Sequence, residues 1–363
     1  MKKILFLSNY PRGYVLTSRC EYFARACKPF AESRIECRET SRRSTILHYI
    51  SVIREYKPDL IYTMEGFSGE IVALLMKLFF RIPYIVDRAN TNEDYFREFG
   101  YSYAYWKPIA IFENLLLRLA SGVATRGINQ TLAFKARYYN ENIVHLSEGT
   151  DLENWKPLNG DALREKYKCS DALVLGVIGT AQWSDISGHY SGREMIEIIR
   201  LLPHRDIIAV NLPSMTSDEE ALTRLEELAE SYGVASKLRI IQGIPRLKVP
   251  EYLAMMDICV STQLKSLSGE MRTTAKLPDY MACGKYVLSS TIGDARFYLP
   301  AKVLVSQDDD YYASLAAKVD QVFEDKAILA TGLKYVEIAH QYFNYETISI
   351  KAASMISEIV LKK

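Results

Sequence analysis

The stretch Lys276-Leu-Pro-Asp-Tyr-Met-Ala-Cys-Gly-Lys285, followed by Tyr286-Val-Leu-Ser289, decides how this chain is read. Its first part predicts a helix over Ala275–Ala282 and its last part a strand over Tyr286–Ser289. Similar units surround it. Further strands are expected at Leu173–Ile178, Asp206–Asn211, Leu238–Ile241, Ile258–Ser261 and Val303–Val305. Helices are expected at Asp161–Tyr167, Gly192–Leu202, Asp218–Tyr232, Val249–Met256 and Tyr311–Phe323. The first half alternates in the same way, from the strand Ile4–Ser8 and the helix Cys20–Phe30 to the strand Ile143–Ser147. Alternation of this kind implies βαβ units and parallel sheets covered on both faces. Glu148–Lys156 is polar, and Pro157, Asn159 and Gly160 mark a linker. Two α/β units joined by one linker place a cleft between the C-terminal edges of two sheets, where ligands bind in open α/β folds.

Bulk properties agree with an ordinary globular chain. The 363 residues suffice for two domains, each with its own core. Lys+Arg is 45 against 44 Asp+Glu, so the composition gives no prior for a nucleic-acid partner. Arg38, Arg42 and Arg43 cluster, which reads first as a solvated face. The six cysteines include no CxxC pair, which argues against a disulfide framework or zinc site. The apolar start Ile4–Leu7 ends too early for a signal peptide, and Ile71–Phe80 is too short to span a bilayer. The expected location is cytoplasmic, with room for peripheral contact on the inner face of a membrane.

Four segments resemble the retaining GT-B glycosyltransferases, and in particular the GT4 family. Ile4-Leu-Phe-Leu-Ser-Asn-Tyr-Pro-Arg-Gly13 resembles that family's first strand and glycine loop. Glu148-Gly-Thr-Asp151 with Trp155-Lys-Pro157 resembles its inter-domain signature. Met256-Asp-Ile-Cys-Val-Ser261 resembles the segment before the donor site, and Lys276–Lys285 is the strongest match. The resemblance implies two Rossmann-like domains, at 1–155 for the acceptor and 156–345 for the donor. A last helix at 346–363 would pack back on the first domain. It also implies a UDP- or GDP-sugar as donor, no further cofactor, and a glycan or lipid-linked acceptor.

On the donor side, the helix beginning near Lys276 follows a loop rich in hydroxyls, including Thr273 and Thr274. A helix start attracts phosphate, and Lys276 adds a point charge. By resemblance, Asp279 takes the place of a glutamate that binds ribose hydroxyls. A surface ion pair of Lys276 with Asp279 is the structural alternative. Met271 stands where the family has a glutamate near the donor sugar, and Glu270 or Arg272 could take over by a shift of loop register. The loop Gly179–Gly192 normally carries an Arg and a Lys that grip the diphosphate. Thr180 and Ser191 stand there instead, which leaves Arg193, Arg272 or Lys276 to neutralise phosphate and His189 as a further contact.

On the acceptor side, Pro83-Tyr-Ile-Val-Asp87 fits the family, but Ala89 and Asn90 replace its His-Asp pair. Arg88 and Asn90 then become the candidates at the mouth, with Glu65 and Arg126 placed beside them. The aromatic stretch Tyr95–Trp106 reads as core, sugar-stacking surface or lipid contact. Asp308-Asp-Asp310 has the composition of a metal motif but lies where a turn and cap are expected, with Asp310 as the cap. No metal is therefore expected, and leaving-group charge falls to cations and helix dipoles. The resemblance implies retention with no protein nucleophile. Two rivals remain. One is a degenerate pseudo-transferase acting as a scaffold. The other is a sugar-nucleotide epimerase, with Asp185 and His189 as its acid–base hint.

Overall fold

The computed structural model describes residues 1–38 and 41–361. The N-terminal unit contains strands β1 (Lys2–Ser8), β2 (Ala31–Cys37), β3 (Leu60–Met64), β4 (Tyr84–Arg88), β5 (Gly122–Thr125) and β6 (Ile143–His145). Its helices are α1 (Val15–Cys27), α2 (Arg42–Tyr56), α3 (Phe67–Phe80), α4 (Asn92–Glu98), α5 (Tyr103–Leu119) and α6 (Ile128–Tyr138). The strands pair in parallel in the order β2-β1-β3-β4-β5-β6. Every residue of β3, β4 and β5 is buried, because helices cover both faces. Burial of each Leu, Ile, Val or Phe stabilises the fold by roughly 1.5–3 kcal/mol before chain entropy is counted.

The two faces have different covers. One is packed by α2, α3, α5 and α6 through residues such as Tyr49, Val72, Leu116 and Phe134. The other is packed by α1 and by a helix that arrives from the far end of the chain, through Phe23, Ile348, Ala352 and Ile356.

In the C-terminal unit, α7 (Asp161–Lys166) leads into β7 (Leu173–Gly179). A two-stranded hairpin follows, β8 (Trp183–Ser184) and β9 (His189–Tyr190), and then α8 (Arg193–Leu201). Next come β10 (Ile207–Pro213), α9 (Glu219–Ser231), β11 (Leu238–Ile240), α10 (Val249–Ala254) and β12 (Ile258–Ser261). The short helix α11 (Leu267–Glu270) precedes α12 (Lys276–Ala282), β13 (Tyr286–Ser290), α13 (Ala295–Tyr298) and β14 (Leu304–Val305). The chain ends with α14 (Tyr311–Glu324), α15 (Lys334–Tyr342) and α16 (Tyr345–Leu361). The second sheet is also parallel, in the order β11-β10-β7-β12-β13-β14.

The crossing between units lies between Leu146, which packs in the first core, and Trp155, which packs in the second. α16 crosses back, and its Tyr345 stacks on Tyr22 of α1 with ring centroids 4.7 Å apart. Lys362 and Lys363, at the end of the expected terminal helix, lie outside the described residues. Asp310 stands at the start of α14, but its side chain makes no capping hydrogen bond, so the expected cap is absent there.

In both sheets the first strand of the unit has neighbours on either side that connect in opposite directions. The loops after β1 and β7 therefore open at the topological switch points, where α/β folds leave a crevice.

Candidate donor and acceptor site

β7 ends at Gly179, whose φ of +113° is a conformation that L side chains rarely adopt. A Cβ built there would lie 3.9 Å from Lys276 Cε, so the bare backbone runs alongside that lysine. Lys276 opens α12, and Arg272 sits in the loop before it. Among the described residues neither side chain makes an ion pair or hydrogen bond, and Arg272 Nε is buried without a partner. Burial lowers the Lys276 pKa and Arg272 lowers it further, against the opposing pull of Glu194. Burial also lowers the Arg272 pKa, despite attraction from Glu98, Glu65 and Glu148. The last three acids belong to the N-terminal unit and its linker, so Arg272 faces across the cleft.

His189 joins this pair from the hairpin. Burial, then Lys276, then Arg272 depress its pKa to about 4. Its Nε2 lies 3.0 Å from Ser191 Oγ. Three basic groups thus repel one another in a half-buried place where each costs desolvation energy. An anion would relieve all three.

The opposite wall is built differently. Arg126, just beyond β5, bonds Asp87 at 2.9 Å and Glu148 at 3.2 Å and lies 3.8 Å from Glu65. Arg19 of α1 bonds the same Asp87 at 2.9 Å and the carbonyls of Leu146 and Ser147. The Tyr62 hydroxyl donates to Asp87 at 2.7 Å. Burial pushes the Asp87 pKa up, but Arg19 and Arg126 outweigh it and hold the carboxyl below its ordinary value. Glu65, which ends this wall, accepts from the Tyr10 hydroxyl at 3.3 Å and from the Ala89 amide. Tyr10 stacks on Tyr14 with centroids 4.8 Å apart.

Several expected site residues lie elsewhere. Arg88 is buried and pairs with Glu70 and Glu113, each at 2.6 Å, which corrects its placement at the cleft mouth. Two carboxylates deep in the first unit take its charge. Arg193 is corrected too. It pairs with Glu197 one turn on, at 3.1 Å, and lies over the rings of Tyr190 and Tyr312. Thr273 is buried and donates to Asp294 at 2.7 Å, so it serves the domain contact rather than an open phosphate site. That same Asp294 oxygen accepts the Ile128 amide at 2.7 Å, across the cleft at the start of α6. Next to it, a Cβ on Gly127 would come within 1.9 Å of the Met271 carbonyl, so only glycine permits this approach.

Asp279 is buried, with one oxygen accepting from Thr150 Oγ1 at 2.8 Å and the other from Arg246 at 3.4 Å. Glu270 is partly exposed and pairs with Arg296 at 2.8 Å, while its carbonyl accepts from Asn129 at 2.9 Å. Asn90 lines a small inter-domain cavity of about 50 Å³ with Gln130 and Ser268, and each of the three has a buried polar atom lacking a partner. Thr180 is exposed and shares hydrogens with Ser214 and Thr216. Thr274 is half-buried at the start of α12, where its carbonyl accepts the Leu277 amide. Gly13 is exposed in the β1 loop with φ +80°. Sequence reading missed Asp294, Arg246 and Arg19, because nothing near them in the chain signals their partners.

No family model matches the sequence, and neither does any curated protein. Solved structures do match over the whole chain. Sucrose-phosphate synthase from Thermosynechococcus elongatus superposes with a TM-score of 0.79 at 16% identity, covering 100% of each chain. Anabaena Alr3699/HepE in complex with UDP-glucose gives 0.78 at 18% identity, covering 99% of this chain and 100% of that one. UDP-GlcNAc 2-epimerase from Neisseria meningitidis bound to UDP-GlcNAc gives 0.61 at 11% identity over 100% of both. The chain has the GT-B fold, two Rossmann-like domains with parallel sheets.

Proposed function

We propose that this protein is a glycosyltransferase that takes its sugar from a nucleoside-diphosphate sugar held by the C-terminal domain. The observation that carries this reading is the set of basic groups Lys276, Arg272 and His189, drawn together beside Gly179 with no acid bonded to the first two. A diphosphate supplies the charge they lack, and the bare backbone of Gly179 lets it approach. HepE holds UDP-glucose in the same fold, which favours UDP as the nucleotide.

In this reading Lys276 and Arg272 stabilise the leaving diphosphate as the glycosidic bond breaks. The Thr274 and Thr180 hydroxyls border the phosphates. Asp279 takes the ribose once its 3.4 Å contact with Arg246 opens. Glu270 lies toward the donor sugar. The acceptor, a glycan or lipid-linked sugar, lies against Tyr10, Tyr14 and Glu65, with Asn90 beside it. The transfer retains configuration, and the departing phosphate helps deprotonate the acceptor hydroxyl.

The epimerase reading loses its pair. Asp185 is exposed and bonds Tyr190, whereas His189 turns to Ser191. A thermal-shift screen against UDP, GDP, ADP and TDP tests the proposal. UDP at about a hundred times its Kd should stabilise the fold by about 2.7 kcal/mol. Absence of a shift with all four sinks the donor site. A UDP shift without turnover of any UDP-sugar leaves a scaffold instead.

A further inference from the structure

The chain passes between its two units twice. The first crossing lies between Leu146 and Trp155. The second lies between Phe343, packed in the second core, and Ile348, packed in the first. The two crossings run side by side. The Thr150 amide donates to the Phe343 carbonyl at 2.8 Å, and the Thr150 carbonyl accepts the Tyr345 amide at 3.3 Å. The Ser147 hydroxyl donates to the Tyr342 carbonyl at 2.9 Å. A Cβ on Gly149 would come within 2.5 Å of the Tyr345 ring, so the first crossing lies against that ring. Thr150 is thus pinned on both sides of its own backbone, and it is fully buried.

Its side chain reaches from these crossings into the C-terminal unit. The Thr150 hydroxyl donates to Asp279 Oδ1 at 2.8 Å. Asp279 Oδ2 is held differently, by the Arg246 guanidinium at the longer distance of 3.4 Å. The Arg246 side chain is 34% exposed and also lies over the Trp155 ring, 4.6 Å from its centroid. One carboxylate oxygen is therefore fixed from a buried point, and the other is covered by a partner with a second resting place. Burial pushes the Asp279 pKa above its ordinary value, while Arg246 and then the Thr150 hydroxyl pull against it. Once Arg246 leaves, the Thr150 hydroxyl is the remaining side-chain donor to this carboxylate among the described residues. Two polar atoms near Asp279, the Tyr345 hydroxyl and Glu148 Oε2, are buried without a partner. The pocket is thus short of hydrogen-bonding groups as it stands.

We propose that Thr150 is a positioning residue for the donor: by holding Asp279 Oδ1 it keeps Oδ2 turned to the exposed side, where ribose hydroxyls replace Arg246. The inference rests on the donor reading above and adds the first crossing between the units to the nucleotide site. A carboxylate accepts well from a hydroxyl only when it is ionised and correctly aimed, and the Thr150 hydrogen bond supports both. The two halves of the nucleotide then depend on different parts of the molecule. Lys276, Arg272 and His189 hold the diphosphate, whereas the junction between the units sets the group that holds the ribose.

Calorimetry on the full chain tests this division with two ligands, UDP and inorganic pyrophosphate. Thr150→Val keeps the shape of the side chain and removes its hydroxyl. It should weaken UDP binding about tenfold and leave pyrophosphate binding unchanged. Thr150→Ser should melt lower than the parent, because it gives up a buried methyl group, yet bind UDP within about twofold of it. That pattern separates aim from stability. UDP bound equally by the parent and Thr150→Val overturns the inference alone. So does a loss of UDP affinity in Thr150→Ser as large as in Thr150→Val, which would make Thr150 a packing residue. Equal weakening of both ligands in Thr150→Val overturns it too, because the whole site would have moved. A parent that binds neither ligand sinks the donor reading, and this inference with it.

Discussion

The two walls of the cleft handle cations in opposite ways. On the N-terminal wall every buried arginine is answered. Arg19 and Arg126 share Asp87, Arg126 also takes Glu148, and Arg88 takes Glu70 and Glu113. On the C-terminal wall Arg272 and Lys276 are left open and, together with the larger effect of burial, push His189 toward neutrality. Burying a charge costs several kcal/mol unless a partner is present when the chain folds. The first wall meets that cost during folding and so holds shape. The second defers it, and a ligand anion would settle it.

The largest test of this contrast removes an answer from the first wall. Asp87→Ala leaves two buried guanidinium groups facing one another. It should cost about 3–5 kcal/mol of stability, read as a fall in the urea midpoint. A loss under 1 kcal/mol would mean water or rearrangement serves as well as the carboxylate.

Next in size is Lys276→Met. The apo protein should melt no lower than the parent, because an unanswered cation is removed from a half-buried place. Its affinity for UDP should weaken by about 2 kcal/mol, roughly thirtyfold, by calorimetry. If apo stability falls as far as in the Asp87 variant, Lys276 is structural and the contrast between walls fails.

The smallest effect concerns pH. His189 is held near 4 without ligand. A bound diphosphate favours its protonated form, so its pKa is higher in the complex than in the free protein. Affinity for UDP-glucose should therefore rise as pH falls through the complex value, by at most about tenfold per pH unit. The gain is lost as pH rises again. His189→Gln should flatten this profile and leave the affinity at high pH nearly unchanged. An identical slope in the variant would remove His189 from the site.

The sheets were legible because their signal is local. Runs such as Asp59–Thr63 and Tyr84–Asp87 are largely apolar because helices cover both faces, and the observed strands, Leu60–Met64 and Tyr84–Arg88, match them to within a residue at each end. Pieces without that signal were missed: α4, which buries none of its side chains fully, the four-residue helices α11 and α13, and the hairpin β8–β9, whose strands are two residues each. The site was legible only in part. Lys276 and His189 stand together as parts of one basic cluster. Arg88, Arg193 and Thr273 look equally functional in the sequence, yet each is engaged by a neighbour in the fold.

By itself the sequence determined the two parallel α/β units, the linker between them, and a polar, cation-bearing loop before α12. Those follow from periodicity and composition over a few consecutive residues. Only the tertiary structure decided which cations are spent and which are open. Arg19 meets Asp87 from 68 positions away, and Thr150 meets Asp279 across 129. A charge is neutralised by whatever lies within a few ångströms, and that neighbourhood exists only once the chain has folded.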